Sequence, residues 1–172
     1  MEKPTNFVLV GFPYAGKSTM ARGLKEQKGF AHINIDQLKW DKGFTEVGDD
    51  DVPDKVWDEI FNEADNLLVK HLKEGKHVAN EYAWITREWR NRTRKVAADA
   101  GFPTKLIYID IPPEVIKQRW ADNIQKKDHF HWPEEEFQRV FTEFEKPAPD
   151  EDMLVYDQST PLEEWLEKNI KV

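Results

Sequence analysis

The stretch from Phe7 to Met20, FVLVGFPYAGKSTM, constrains this chain more than any other part of the sequence. It consists of a short apolar run, a loop with glycine at each end, and a Lys-Ser-Thr triplet. Residues 11–19 fit the pattern G-x-x-x-x-G-K-[ST] at every fixed position. The pattern also follows a predicted strand and begins a predicted helix, which is the context expected of a loop that binds nucleotide phosphates.

Each part of this loop has a physical role in holding a phosphate chain. Glycine lets backbone N–H groups turn inward without a Cβ in the way, and the following helix adds unpaired N–H groups and the positive end of its dipole. Lys17 would place a charge across the β- and γ-phosphates, and the Ser18 hydroxyl would coordinate Mg²⁺. The residues predicted to bind the nucleotide are Gly11, Phe12, Pro13, Tyr14, Ala15, Gly16, Lys17, Ser18 and Thr19.

Strand-like and helix-like stretches alternate along the rest of the chain. The predicted strands are FVLV (7–10), HINID (32–36), HVANE (77–81), KLIYID (105–110) and MLVYD (153–157). Helices are predicted for 17–28, after Pro53, for 86–100, from 112 to about 127, after 132 and for 161–170. The Gly/Asp-rich residues 41–53 are predicted to form a mobile loop. Alternating strands and helices favour an α/β fold with a parallel sheet covered on both faces.

Composition narrows the class of protein. The chain has 172 residues, which suits a single domain over 1–172, and the absence of cysteine excludes disulfides, thiolate catalysis and Cys-ligated zinc. The net charge of −8 disfavours general nucleic-acid binding. No apolar run approaches the ~20 residues of a membrane span, and the polar start MEKPTN does not resemble a signal peptide. We therefore expect a cytoplasmic protein, as a monomer or a homodimer, with no membrane partner.

Other nucleotide-binding classes lack their markers in this sequence. A GTPase would need a guanine-reading Asn-Lys-x-Asp, and a Ras-like switch would place Asp-x-x-Gly at the end of a strand; neither is present. The chain is also short for a ring-forming ATPase, which usually adds a helical domain. A small kinase therefore remains as the best interpretation.

Over about 150 residues the chain resembles the P-loop kinases related to the 5′-hydroxyl kinase domain of phage polynucleotide kinase, zeta toxin and chloramphenicol phosphotransferase. The likeness rests on the phosphate loop and on the stretches HINIDQLK (32–39), GKHVANEYAWITREWR (75–90) and KLIYIDIPPEVIKQRW (105–120). It implies a three-layer P-loop NTPase fold, in which a five-stranded parallel sheet is flanked by helices and a helical lid spans about 112–146. It also implies ATP and Mg²⁺ as cofactors and transfer of the γ-phosphoryl group to a hydroxyl acceptor.

The resemblance assigns catalytic roles to three residues. Asp36 matches a carboxylate that acts as a base toward the acceptor hydroxyl, although an aspartate after a strand is also a common helix N-cap. Lys17 and the lid residue Arg119 would neutralise the charge that develops during transfer. Glu81 stands where relatives usually carry an aspartate; it is predicted to bind magnesium together with Ser18, with a surface ion pair as the alternative.

Two further regions are predicted to contact ligands. Asn123 stands where relatives often carry a second lid arginine, so Lys126 or Lys127 would supply that charge, and Lys127 is predicted to bind the nucleotide. The predicted acceptor contacts are Asp36, Trp40, Trp84, Arg87 and Arg90, where the two tryptophans form a wall and the two arginines hold a phosphate or carboxylate.

The acceptor remains open at this level. A nucleic-acid end predicts a basic channel, whereas a small polar metabolite or drug predicts a closed, partly aromatic pocket. A different class of function is a nucleotide-binding regulatory or interaction module that hydrolyses ATP slowly and phosphorylates no acceptor. The missing lid arginine favours that alternative, and the intact Lys17–Ser18 pair and Asp36 oppose it.

Overall fold

The computed structural model describes residues 2–45 and 47–171, and these form a five-stranded sheet with helices on both faces. The strands are β1 (Asn6–Val10), β2 (Ala31–Asn34), β3 (Val78–Glu81), β4 (Thr104–Ile109) and β5 (Met153–Tyr156). The helices are α1 (Lys17–Lys28), α2 (Ile35–Asp41), α3 (Asp54–Lys73), α4 (Arg87–Asp99), α5 (Pro113–Lys126), α6 (Glu134–Glu143) and α7 (Leu162–Asn169). Two 3₁₀ turns cover Asp49–Asp51 and Pro149–Glu151.

All strand pairs are parallel, and the strand order is β2-β3-β1-β4-β5. The carboxyl ends of the strands therefore lie at one edge, where open α/β sheets bind their ligands. The register places Glu81 of β3 beside Leu9 of β1 on one side and beside Asn34 of β2 on the other. The phosphate loop follows β1, so it lies at the centre of this edge.

The two faces of the sheet bury separate hydrophobic clusters. Along β1, Phe7 and Leu9 face one cluster, whereas Val8 and Val10 face the other. The first cluster is covered by α1, α5, α6 and α7, and the second by α2, α3 and α4. This alternation along a strand buried on both faces explains the continuous apolar run in the sequence and confirms the predicted three-layer α/β fold.

The structure corrects one boundary that matters for the site. The predicted second strand extended to Asp36, but β2 ends at Asn34 and α2 begins at Ile35. The cause is local, since the Asn34 side chain accepts a hydrogen bond from the backbone N–H of Gln37 and so caps α2. Asp36 therefore lies in the first turn of a helix, and it is not the N-cap.

The helices of the described residues include none that is long and apolar enough to cross a membrane.

Candidate active site

The phosphate loop is open toward the cavity at the sheet edge. Gly16 has φ +106°, a conformation that favours glycine, and a Cβ there would lie 3.0 Å from the side-chain nitrogen of Gln158. Among the residues that the structure describes, nothing accepts a hydrogen bond from the backbone N–H groups of residues 16–19. Four adjacent amide donors at a helix N-terminus form an anion site ready for phosphate oxygens.

Side chains from outside the loop fix its outward-facing carbonyls. The Arg119 guanidinium donates to the carbonyls of Tyr14 (2.9 Å) and Ala15 (3.4 Å). The Gln158 side chain donates to the Ala15 carbonyl at 2.8 Å and accepts from Arg119 at 2.8 Å. Because these carbonyls point outward, the amides are left to face the cavity.

Lys17 folds over the loop within the cavity. Its Nζ donates to the carbonyls of Gly11 (3.0 Å) and Phe12 (2.8 Å). Burial lowers the pKa of Lys17 to about 8, while the negative charges of Glu81 and Asp36 oppose that shift. The ammonium is thus a poorly hydrated cation, and an incoming phosphate chain would compensate its lost hydration.

Glu81 joins the loop to the neighbouring strand. Ser18 Oγ donates to Glu81 Oε1 at 2.5 Å, and His32 Nε2 lies 2.7 Å from Glu81 Oε2. Burial alone would raise the pKa of Glu81, but the hydrogen bonds from His32 and Ser18 outweigh it, and the pKa is lowered. The carboxylate is therefore ionised and 5% exposed at the floor of the cavity.

The residues at this point fit a magnesium ion. The hydroxyl of Ser18 and the carboxylate of Glu81 are hard oxygen donors, which Mg²⁺ prefers. The described residues contain no cluster of three or more His, Cys, Asp or Glu side chains with metal-binding geometry. That pattern agrees with magnesium sites in which one or two protein oxygens, substrate phosphates and water share the coordination sphere.

Asp36 lines the same cavity from the first turn of α2. Burial raises the pKa of its carboxyl to about 6, and the nearby charge of Asp49 adds to the shift, while Lys39 and Lys17 oppose it. Within the described residues its side chain has no hydrogen-bond partner. A carboxyl group with these properties can accept a proton near neutral pH.

The cavity has a volume of about 650 Å³ and extends from the phosphate loop to α2, α5 and the segment that follows α5. Its walls contain Pro13, Tyr14, Gly16, Lys17, Ser18, Thr19, Asp36, Trp40, Glu81 and Arg119 from the predicted set. Gly11, Phe12 and Ala15 lie behind this surface, and their carbonyls accept the hydrogen bonds from Lys17 and Arg119 described above. The structure thus brings the predicted phosphate, metal and base residues to one place.

Tyr14 connects the phosphate loop to the segment between α5 and α6. Its hydroxyl donates to the Phe130 carbonyl at 2.9 Å and accepts from the Trp132 backbone N–H at 3.2 Å. Tyr14 itself has φ +65°, so the loop conformation that presents this ring is strained. Phe130 and Trp132 both line the cavity.

The structure separates the two lysines that were predicted as alternatives for the second cation of this region. Arg119 and Lys126 of α5 line the cavity, but Lys127 does not. It ends α5 in a left-handed conformation and faces an adjoining cavity that shares Trp40 and Phe130 with the first. Asn123 is 4% exposed, and its side chain forms two hydrogen bonds with the backbone of His129. Asn123 therefore closes the end of α5, and Lys126 is the second cation of α5 that lines the cavity.

Three predicted acceptor contacts lie elsewhere. Trp84 is 1% exposed in the cluster between the sheet and α3, so the prediction that it walls the pocket is wrong. Arg90 is fully buried against Glu151, and Arg87 pairs with Asp150 on the surface. Neither arginine lines the cavity. On α4, Arg90, Thr93 and Ala97 point inward, whereas Trp89 is 40% exposed.

Some cavity residues were missed by the sequence reasoning. Asp49, Tyr82 and Phe130 line the cavity beside Asp36 and Trp40. Tyr82 directly follows the predicted third strand, so the rule that ligands bind at strand carboxyl ends would have found it. Asp49 lies in a run of acidic residues in a loop and carries no comparable signal.

Residues 7–147 match the family model described as an AAA domain, which is most of the chain. The chain belongs to this AAA domain family. The match includes the phosphate loop, Asp36, Glu81 and the whole of α5 and α6. No curated protein matches the chain by sequence.

Solved structures of kinases share the fold of this AAA domain. A sugar kinase from Janibacter sp. HTCC2649 aligns with a TM-score of 0.70 at 20% identity, covering 96% of this chain and 91% of that one. The APS kinase of Mycobacterium tuberculosis, solved with AMPPNP and APS, aligns with a TM-score of 0.66 at 19% identity, covering 98% and 96%. A gluconokinase from Sinorhizobium meliloti 1021 aligns with a TM-score of 0.62 at 19% identity, covering 98% and 90%. The fold of the chain is thus that of P-loop kinases.

Proposed function

We propose that this protein is an ATP-dependent phosphotransferase that moves the γ-phosphoryl group of Mg·ATP to a hydroxyl group of a small molecule. The observation that carries the proposal is the meeting of three groups in one cavity. Unpaired loop amides with Lys17, the Ser18–Glu81 pair and the Asp36 carboxyl all line it. Phosphoryl transfer needs these elements: a phosphate cradle, a metal position and an oriented acceptor oxygen.

The chemistry follows from this placement. The amides of residues 16–19 and Lys17 hold the phosphate chain, and Asp36 accepts the proton of the acceptor hydroxyl as its oxygen bonds to the γ-phosphorus. The bond between the γ-phosphorus and the β–γ bridging oxygen breaks, and ADP leaves. Ser18 and Glu81 would hold a magnesium ion, which would compensate negative charge at the phosphates. Arg119 and Lys126 add positive charge from α5.

The names of the structural neighbours support a small-molecule acceptor, because they include a sugar kinase, an APS kinase and a gluconokinase. The net charge of −8 also argues against a nucleic-acid end. The relationship to polynucleotide kinase, zeta toxin and chloramphenicol phosphotransferase stays a prediction. We further propose that residues 1–172 act as one kinase-like domain in which residues 112–146 move as a lid.

Asp36→Asn tests the catalytic assignment. The amide cannot accept the hydroxyl proton, so phosphoryl transfer should fall about 10²- to 10⁴-fold while ATP affinity is retained. Asp41→Asn is the matched control, because Asp41 lies on the same helix with its side chain bonded to Gln37 outside the cavity. Transfer by Asp36→Asn at a rate near that of Asp41→Asn would contradict the base assignment.

Lys17→Ala tests whether the phosphate loop binds ATP. Loss of the buried cation should weaken ATP binding, measured by titration with a fluorescent ATP analogue. ATP affinity that did not fall would contradict the phosphate site. Intact ATP binding by the wild type, without transfer to any hydroxyl compound, would instead favour a nucleotide-binding regulatory module.

A further inference from the structure

The acceptor end of the cavity contains two carboxylates. Asp36 comes from α2 and Asp49 from the first 3₁₀ turn, and both line the cavity. Their charges interact, since the proximity of Asp49 contributes to the raised pKa of Asp36. Tyr82 lies over the same region, and its hydroxyl is 3.4 Å from Asp49 Oδ2. A bound acceptor therefore meets two carboxyl groups at this end of the cavity.

The nearest cation to these carboxylates is already engaged. Lys39 Nζ donates to Asp49 Oδ1 at 3.0 Å and to the Val47 carbonyl at 3.1 Å. It also lies 5.8 Å from the centre of the Phe130 ring, and the residue is only 5% exposed. Lys39 is not among the residues that line the cavity. It stabilises Asp49, and two of its three N–H donors are already engaged by the Asp49 carboxylate and the Val47 carbonyl.

The other cations of the cavity belong to the nucleotide end. Lys17 lies on the phosphate loop, and Arg119 is held against the carbonyls of that loop. Lys126 lies on α5 with Arg119. The two arginines that would have held a phosphate or carboxylate, Arg87 and Arg90, are paired with Asp150 and Glu151 outside the cavity.

Aromatic side chains form the remaining wall at this end. Trp40, Tyr82 and Phe130 all line the cavity close to the carboxylates. Aromatic faces attract cations, by about 0.5–1 kcal/mol at exposed sites and about 2 kcal/mol when desolvated. Carboxylates and aromatic rings together favour a positively charged or neutral ligand, and they repel an anion in a cavity of low dielectric constant.

We propose that the acceptor is a hydroxyl compound without a phosphate, sulfate or carboxylate group, and that it is best an amino sugar or amino alcohol whose ammonium group binds between Asp49 and the aromatic wall. This inference rests on the proposed kinase function and specifies its substrate class. It predicts discrimination against the anionic acceptors that the names of the APS kinase and the gluconokinase indicate for those proteins.

A panel of acceptors that share a carbon skeleton and differ in charge tests the inference. Each set presents one carbon skeleton as amine, neutral alcohol and acid, for example glucosamine, glucose and gluconate, with Mg·[γ-³²P]ATP and full-length protein. For the skeletons that are phosphorylated, kcat/KM for the amine or neutral member should exceed that for the acid at least about tenfold, equivalent to 1.4 kcal/mol. Binding of a fluorescent ATP analogue is measured in parallel.

The outcomes separate the two proposals. Preference for the acid members would overturn this inference and leave the kinase function standing. Absence of transfer to every member, with ATP binding intact, would overturn the kinase function and the inference with it.

Asp49→Asn tests the residue that carries the discrimination. The change removes one carboxylate and releases Lys39, so the ratio of kcat/KM between amine and acid should fall at least about tenfold. Asp51→Asn is the matched control, since Asp51 lies in the same turn, is exposed and does not line the cavity. An unchanged ratio in Asp49→Asn would overturn the inference.

A second variant tests the inference independently, in case Asp49→Asn does not fold. Trp40→Leu removes an aromatic face without touching the Lys39–Asp49 pair, and it should raise KM for the amine member more than for the acid member. Equal effects on both members would count against a cation-binding wall.

Discussion

Arg90 and Glu151 form a bidentate ion pair in the interior, with Nε and a terminal nitrogen of the guanidinium 2.9 and 2.8 Å from the two carboxylate oxygens. The other terminal nitrogen of Arg90 donates to the carbonyls of Trp84 and Glu145, at 3.1 and 3.0 Å. One side chain on α4 therefore joins two connections, the one between β3 and α4 at Trp84 and the one between α6 and β5 at Glu145 and Glu151. Its role is structural.

Arg90→Met should destabilise the fold by about 3–5 kcal/mol, because it leaves the buried Glu151 carboxylate without its main partner. Urea unfolding followed by tryptophan fluorescence measures the loss. Arg87→Met is the control: this arginine lies in the same helix, but its pair with Asp150 is exposed, and we expect a much smaller change. Equal losses in the two variants would contradict the assigned role of the buried pair.

Glu151 should make the fold sensitive to acid. Burial opposes ionisation, but hydrogen bonds from Arg90 and Arg94 and from the Ala148 backbone lower the pKa of Glu151 to about 2. Because the folded-state pKa lies below the ordinary value of 4.5, its stabilising contribution is complete above about pH 4.5 and is lost as pH falls toward about 2.

Comparison of the wild type with Glu151→Gln isolates this contribution, about 3 kcal/mol at neutral pH. The difference in unfolding free energy between the two proteins should shrink steadily from pH 5 to pH 3. A difference that does not depend on pH would show that Glu151 is not the titrating group.

Glu81→Gln should raise the magnesium concentration needed for nucleotide binding by at least about 10- to 100-fold, the loss that follows even when only a residue that orients a metal ligand is changed. The amide lacks the charge that attracts the ion, and its NH₂ group replaces an oxygen beside Ser18. Titration of a fluorescent ATP analogue with MgCl₂ gives the midpoint. Glu74→Gln, an exposed site on the far end of α3, is the control and should leave the midpoint unchanged.

The pH dependence of kcat/KM for ATP should be bell-shaped. Activity should rise as Asp36, whose pKa burial raises to about 6, becomes a competent base, and fall as Lys17, whose pKa burial lowers to about 8, loses its charge. Asp49→Asn should move the rising limb to lower pH, because it removes a charge that raises the pKa of Asp36. A shift to higher pH would contradict the assigned coupling.

The fold was largely readable from the sequence, because each element carries a local signal. β1 and β4 are apolar runs, α1 ends at Gly29 with φ +71°, and Pro113 begins α5. The short helix α2 was missed. Its start depends on the Asn34 cap, and asparagine after a strand is equally common in a turn.

The residues of the candidate site could be predicted only where a local motif or the end of a strand determines where a side chain lies. The phosphate loop is local, and Glu81 and Asp36 follow strand ends at a shared edge. The roles of Arg90 and Trp84 could not be predicted in this way. They depend on which side of α4 packs against the protein interior and on how the loop before α4 folds. An arginine whose partner is 61 residues away gives no sign in a helical pattern that its face is buried. Helical periodicity identifies the buried face from its hydrophobic residues, so it assigns a face that contains a buried, ion-paired arginine to the surface.

The two hydrogen bonds of the Tyr14 hydroxyl have a mechanical consequence. Tyr14 belongs to the loop that would bind the phosphates, and its hydroxyl is bonded to the backbone of Phe130 and Trp132, which line the adjoining wall of the cavity. If the loop shifts when nucleotide binds, the segment that contains Phe130 and Trp132 must move with it, or both hydrogen bonds of the Tyr14 hydroxyl must break. Either response would change the cavity wall between α5 and α6 when nucleotide binds, before an acceptor is present.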